Sequence, residues 1–176
     1  MKRIVQIADM IVSADPDDVL ITYALGPCLG VSICDVERGV GGLIHCQLPS
    51  AKDDVERARQ RPWQFVDSGI LSMLEQLFAL GAERSRMVIK AAGAAKVVEN
   101  LNLFKIAERN HTVFRKLMWK NDLLIAAEEV GGDQPRTMSL NIATGQTMLQ
   151  SAGRTWELGP ATPSRQPILA TVGGAR

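Results

Sequence analysis

Hydrophobic periodicity changes twice along this chain, and that order constrains the fold more than any other feature. Apolar or alternating runs of strand length come first, over residues 4–12, 19–25, 29–34 and 40–48. The cluster Ala14-Asp15-Pro16-Asp17-Asp18 divides the first two, and Glu37-Arg38-Gly39 supplies a hairpin turn between the last two. The pattern then becomes helical. Val66, Ile70, Leu74, Leu77 and Phe78 form one stripe between Pro62, suited to a first helical turn, and Gly81, suited to a C-terminal cap. Residues 86–92 read as a buried strand, and residues 97–119 as a second helix with Ile106, Val113 and Leu117 on its inner face. Strand patterns return over 123–130, 137–142 and 146–150, with a Gly131-Gly132 break and a tight turn at Ala143-Thr144-Gly145. Strands, two helices and strands again predict an α+β fold: a layered α/β sandwich of mixed, largely antiparallel sheets with two main helices.

A chain of 176 residues suits one such domain, over residues 1–150, followed by a short tail. The tail, residues 151–176, is rich in proline and glycine and is expected to be extended or mobile, with Trp156 and Leu158 pinning its start to the body. A formal net charge of +1 without a long basic block argues against a dedicated nucleic-acid binder. The first residues carry no signal-peptide stretch, and the longest apolar runs are too short to span a bilayer. The expectation is a cytoplasmic protein without direct membrane insertion. Three cysteines, Cys28, Cys34 and Cys46, are an odd count that argues against a disulfide framework. They show no Cys-x-x-Cys spacing, so no metal is expected, and nothing calls for a cofactor.

One of these thiols stands apart. Cys28 follows a strand through Gly26-Pro27, a pair that demands a bend, and Gly30 lies just beyond it. Such a bend can expose a thiol and let a substrate approach closely. His45 falls in the strand expected to pair with the one that Cys28 opens. Hairpin pairing of 29–34 with 40–48 brings the thiol and the imidazole to one open end, the arrangement a nucleophile and its base require. From spacing alone, a small core cysteine and a satisfied strand histidine stand ahead of a catalytic pair. Cys34 reads as core, Cys46 should face away from His45, and His111 reads as helix surface.

The stretch from Thr22 through Leu25-Gly26-Pro27-Cys28, followed by Gly41-Gly42-Leu43-Ile44-His45-Cys46-Gln47-Leu48-Pro49, resembles the CheD family of chemoreceptor glutamine deamidases. Phe65-Val66-Asp67, Glu108-Arg109-Asn110, Val130-Gly131-Gly132 and Thr144-Gly145 extend the resemblance in order through residues 1–150. It implies a sandwich similar to the catalytic domains of deamidating toxins, with Cys28 as nucleophile, His45 as proton carrier and Thr22 completing the site. It further implies hydrolysis of glutamine side-chain amides in methyl-accepting chemoreceptors, with glutamate methyl ester hydrolysis as a side reaction. A CheC-type phosphatase is the second implied partner, and an adaptor that binds receptor and phosphatase without catalysis is the alternative. Two departures stand out. Pro27 replaces a small hydroxylated residue and brings no N–H, although that of Cys28 remains. Ala91-Ala92-Gly93-Ala94-Ala95 stands where the family tends to carry Phe-Gly-Gly-Ala, which bears on the loop after the central strand and on partner contact.

Overall fold

The computed structural model describes residues 1–96 and 100–159. Their strands form two five-stranded sheets. The first is ordered β1 (Lys2–Ile4), β3 (Val19–Leu25), β8 (Arg136–Asn141), β9 (Thr147–Ser151) and β10 (Arg154–Glu157). The second is ordered β2 (Asp9–Ser13), β5 (Val40–Cys46), β4 (Leu29–Asp35), β6 (Val88–Gly93) and β7 (Ile125–Val130). The β1–β3 and β6–β7 pairs are parallel, and the remaining pairs are antiparallel. Three helices accompany them: α1 (Val55–Gln60), α2 (Val66–Ala79) and α3 (Leu101–Lys120). The layered α+β sandwich expected from the order of patterns is the observed architecture, with α2 and α3 as the main helices.

Two apolar cores hold three layers together. One lies between the second sheet and the helices, where Ile33, Ile44, Ile70, Leu77 and Phe114 meet. The other lies between the sheets, with Leu20, Leu25, Leu43, Met138 and Leu149. The second sheet is therefore covered on both faces, and every residue of β4 and β5 is buried. That explains why these strands read as continuous apolar runs rather than alternating ones. At Gly42 a Cβ would stand 2.8 Å from Met73 Sδ, so the missing side chain lets α2 sit close to the sheet.

Several expectations need correction. The run over residues 4–12 is two strands in different sheets, because the chain turns sharply at Ala8 (φ +59°) and crosses between them. The Asp9 carboxylate secures that turn by accepting the N–H groups of Gln6 and Met10. Pro62 opens a short 3-10 turn, and α2 itself starts at Val66; the brief helix α1 before it carried no clear apolar stripe. The Asn100 side chain caps α3 by accepting from Asn102 N and Leu103 N, so the helix starts at Leu101; residues 97–99 of the expected helix lie outside the described residues. Its buried stripe is Ala107, Asn110, Phe114 and Met118, with Val113 and Leu117 on the shoulder.

The folded body also continues past residue 150. β10 adds an edge strand, Trp156 Nε1 donates to Glu129, and the fully buried Lys90 donates from Nζ to Gly159 O at 3.2 Å. The remainder of the expected tail, residues 160–176, lies outside the described residues.

Gly93, at the end of β6, has φ +108°, and a Cβ there would stand 2.4 Å from the Cys28 carbonyl oxygen. Neither partner is a flexible side chain, so nothing can move aside cheaply. Gly93→Ala is expected to cost about 2–4 kcal/mol of unfolding free energy, measured by urea denaturation.

Candidate active site

The second sheet is joined to the first by the bend between β3 and β4, and Cys28 stands on it. Gly26 N–H donates to Ala24 O at 2.8 Å, closing the bend. The segment after β6 pins it further: Ala94 N–H donates to Cys28 O at 2.8 Å, and Ala95 N–H to Gly26 O at 2.7 Å. The expectation that this bend exposes the thiol does not hold. Cys28 is 9% exposed and belongs to the core between the sheets, with Leu25 and Met138. Burial pushes its thiol up to about 11, its own backbone N–H drawing it slightly the other way. Pro27 has no N–H to give, and none of the turn and loop hydrogen bonds among the described residues consumes that of Cys28.

His45 lies on β5, opposite Gly30 on one side and Asp9 on the other. Cys28 lies in the bend just before β4 and belongs to the inter-sheet core, the side of the second sheet on which Thr22 meets His45. No hydrogen bond joins Sγ to the imidazole among the described residues. Thr22 reaches the same place from β3 of the other sheet. Its Oγ1 lies 2.7 Å from His45 Nδ1 and donates to Val5 O at 2.9 Å. The structure thus gathers the three residues singled out in the sequence.

The tautomer of His45 follows from counting protons. A hydroxyl has one proton, and the Val5 carbonyl can only accept, so that proton points to Val5. Thr22 Oγ1 must then accept from Nδ1–H. Nε2 is left as the bare nitrogen, fully buried and without a partner among the described residues. Desolvation holds the imidazole down at about 4, because no anion balances its charged form. A neutral base with its lone pair free and a neutral thiol, both enclosed at the inter-sheet core, are what these residues make at neutral pH.

The other cysteines stand apart from this set. Cys34 is buried in the inter-sheet core, with Sγ 3.9 Å from Val88 O and Gly145 O. Cys46 faces the helix-side core, opposite His45 as expected, and all three thiols are free. No group of side chains suited to a metal occurs among the described residues. His111 lies 3.1 Å from Glu128 on the outer face of α3.

Two features of the site escaped sequence reasoning. Among the described residues five non-glycine residues have positive φ, and three of them border the site: Ala8, Ala24 and Ala94 (φ +59°, +56° and +49°). Ala8 N–H donates to His45 O, Ala94 N–H to Cys28 O, and Ala24 sits in the bulge after Thr22. An alanine in that conformation carries no sequence signal. The second is Asn110, whose Nδ2 donates to Pro27 O at 3.0 Å and to Gln47 O at 3.2 Å. Its signal was a polar residue on the inner stripe of α3, i+3 from Ala107 and i−4 from Phe114.

Fold and site together define a class: a layered α+β sandwich that gathers a thiol, a bare imidazole nitrogen and a hydroxyl at one end of its inter-sheet core. The family model described as CheD chemotactic sensory transduction matches residues 47–151, beginning just after His45. Full-length relatives carry the likeness across the site. A protein of Solibacter usitatus (strain Ellin6076), named "Probable chemoreceptor glutamine deamidase CheD", is 41% identical over 92% of this chain and 96% of its own length. One of Syntrophus aciditrophicus (strain SB), named "Probable chemoreceptor glutamine deamidase CheD 1", is 41% identical over 85% of this chain and 94% of its own. Among solved structures, a Neisseria meningitidis protein of the family-model DUF152 aligns with a TM-score of 0.44 at 11% identity, over 74% of this chain and 62% of that one. The chain belongs to the CheD family.

Burial of His45 makes stability depend on pH. The unfolded imidazole binds its proton near 6.5 and the folded one only near 4, so the contribution is complete above 6.5 and is lost as the pH falls towards 4. Between pH 7 and pH 5 the protein is expected to lose about 2 kcal/mol, read from urea unfolding at each pH. His45→Gln is expected to remove most of that slope.

Proposed function

We propose that this chain hydrolyses glutamine side-chain amides in the cytoplasmic domain of methyl-accepting chemoreceptors, yielding glutamate and ammonia. The relatives' names supply the substrate, and the reading is carried by one observation: Thr22 ties up Nδ1 of His45 and leaves Nε2 bare on the face it shares with Cys28.

Chemistry follows from those roles. Burial keeps the thiol protonated and the imidazole neutral, so a free thiolate–imidazolium pair is not the resting form of the closed site. The proton therefore leaves sulfur as sulfur attacks. His45 Nε2 takes it, the S–C bond forms, and the carbonyl electron pair moves onto oxygen, facing the Cys28 N–H. Collapse breaks the C–N bond, and the nitrogen takes the proton back from Nε2 and departs as ammonia. Water then gives a proton to Nε2 while attacking the thioester; the C–S bond breaks, and sulfur recovers that proton. Glutamate methyl esters would react by the same steps, with methanol as leaving group.

Because Cys28 and His45 are enclosed in this conformation, substrate binding must part the loops over them. A glutamine presented on a helix surface suits entry at the strand ends. No helix among the described residues is long and apolar enough to cross a membrane, in keeping with action on the cytoplasmic part of a receptor. A CheC-type phosphatase is the second partner we propose, on the family resemblance.

Mass spectrometry of a chemoreceptor cytoplasmic fragment tests the reading. Wild type is expected to convert glutamine to glutamate, and Cys28→Ala to leave it unchanged. Thr22→Val is expected to lower kcat about a thousandfold, because Nδ1 loses the acceptor that fixes its proton. Equal conversion by Cys28→Ala would remove the cysteine from the mechanism.

A further inference from the structure

Four buried side-chain atoms lack a hydrogen-bond partner among the described residues, and three of them lie around the strand end that follows His45. They are His45 Nε2, Gln64 Oε1 and Asn110 Oδ1. Gln64 is tied there by its carbonyl, which accepts Gln47 N–H and Leu48 N–H, and by its Nε2, which donates to Gln47 Oε1 at 2.8 Å. Asn110 is tied there by the two carbonyls of Pro27 and Gln47. Buried polar groups are costly unless satisfied, so this concentration marks the end of the sandwich where chemistry is arranged.

Asn110 is fully buried. An amide nitrogen carries two protons, and each has an acceptor here. Two carbonyls on one nitrogen also fix which end of the amide faces them, since the reverse orientation would set oxygen against oxygen. Pro27 immediately precedes the nucleophile, and Gln47 follows the imidazole by two residues. A single nitrogen on α3 therefore holds the Cys28 loop to the strand of His45. Proline at position 27 has no N–H of its own, so of that residue's backbone groups only the carbonyl can be held. Ala107, Phe114 and Met118 anchor the helix on either side of Asn110, so its position is set by core packing.

We propose that Asn110 is a positioning residue for the thiol chemistry, its amide setting the separation between the Cys28 loop and the His45 strand and hence the reach from Sγ to Nε2. This rests on the roles of Cys28 and His45 given above. Asn110 need touch neither sulfur nor substrate. Loosening the clamp has two opposite consequences: the enclosed thiol opens to outside reagents, while the proton transfer needed for turnover becomes misaligned.

The test compares wild type, Asn110→Ala, Asn110→Asp and Phe114→Leu. Phe114→Leu is a control that weakens the same helix core without touching the loop, and Asn110→Asp keeps the size but replaces the donor nitrogen. In both Asn110 variants, alkylation of Cys28 by iodoacetamide at pH 8 is expected to run about tenfold faster than in wild type. On the receptor fragment, their kcat is expected to fall about a hundredfold with little change in KM. Phe114→Leu, compared at matched loss of thermal stability, is expected to show neither change. Should Asn110→Ala not fold, Asn110→Asp decides alone. Thiol reactivity in the Asn110 variants equal to that of wild type or of Phe114→Leu would overturn the clamp. Absence of turnover in wild type would overturn the deamidase reading instead, and the alkylation rates, which need no substrate, would still decide the clamp.

Discussion

The hydrogen-bond chain from His45 Nδ1 through Thr22 Oγ1 to Val5 O is the constraint on which the rest of this structure depends. It crosses from one sheet to the other inside the core, where every member is almost wholly enclosed. Each donor has one acceptor and each acceptor is used, so the chain has a direction that no single group can reverse alone. It also fixes registers. A one-residue slip of β3 or β5 would turn Thr22 or His45 to the opposite face and leave a buried polar group unpaired. The bulge between Thr22 and Leu25 then lets β3 leave its sheet and deliver the chain, through Gly26-Pro27, to the start of β4. Cys28 reaches its place because Thr22 has already been placed.

A site built this way stands closed and neutral. Burial raises the thiol and lowers the imidazole, so charge appears only while bonds are changing. The backbone around it is held in costly conformations. Alanines at positions 8, 24 and 94 sit in the left-handed region, each at roughly 1–2 kcal/mol relative to an ordinary conformation. Their N–H and C=O groups hold His45, the Gly26 bend and Cys28 respectively. Strain gathered around chemically distinctive residues, rather than spread over the loops, fits a site whose geometry matters more than local stability.

Much of this was legible in the sequence, for reasons that differ from element to element. The apolar runs of β4 and β5 are long because both faces are covered, and the stripe of α2 is regular because one face is. Thr22, Cys28 and His45 could be named from their spacing and from the glycines and prolines beside them, through likeness to a family. The first strand was misjudged because a turn made by Ala8 and Asp9 contains neither glycine nor proline. The exposure of Cys28 was misjudged because Met138 arrives from β8 of the other sheet, and no local pattern announces it. Asn110 sat within a family-like triplet, yet its task depends on two carbonyls from segments 83 and 63 residues away. Periodicity reports which way a side chain faces; it does not report what waits there.

The proposed chemistry turns on Nε2 being the bare, proton-accepting nitrogen of His45. Nitrogen-15 NMR of the histidine ring in the intact protein at neutral pH measures this directly. The expected result is a proton on Nδ1 and none on Nε2, with that assignment disturbed in Thr22→Val. A proton on Nε2 in the wild type would contradict this, since that nitrogen could then accept nothing from the thiol.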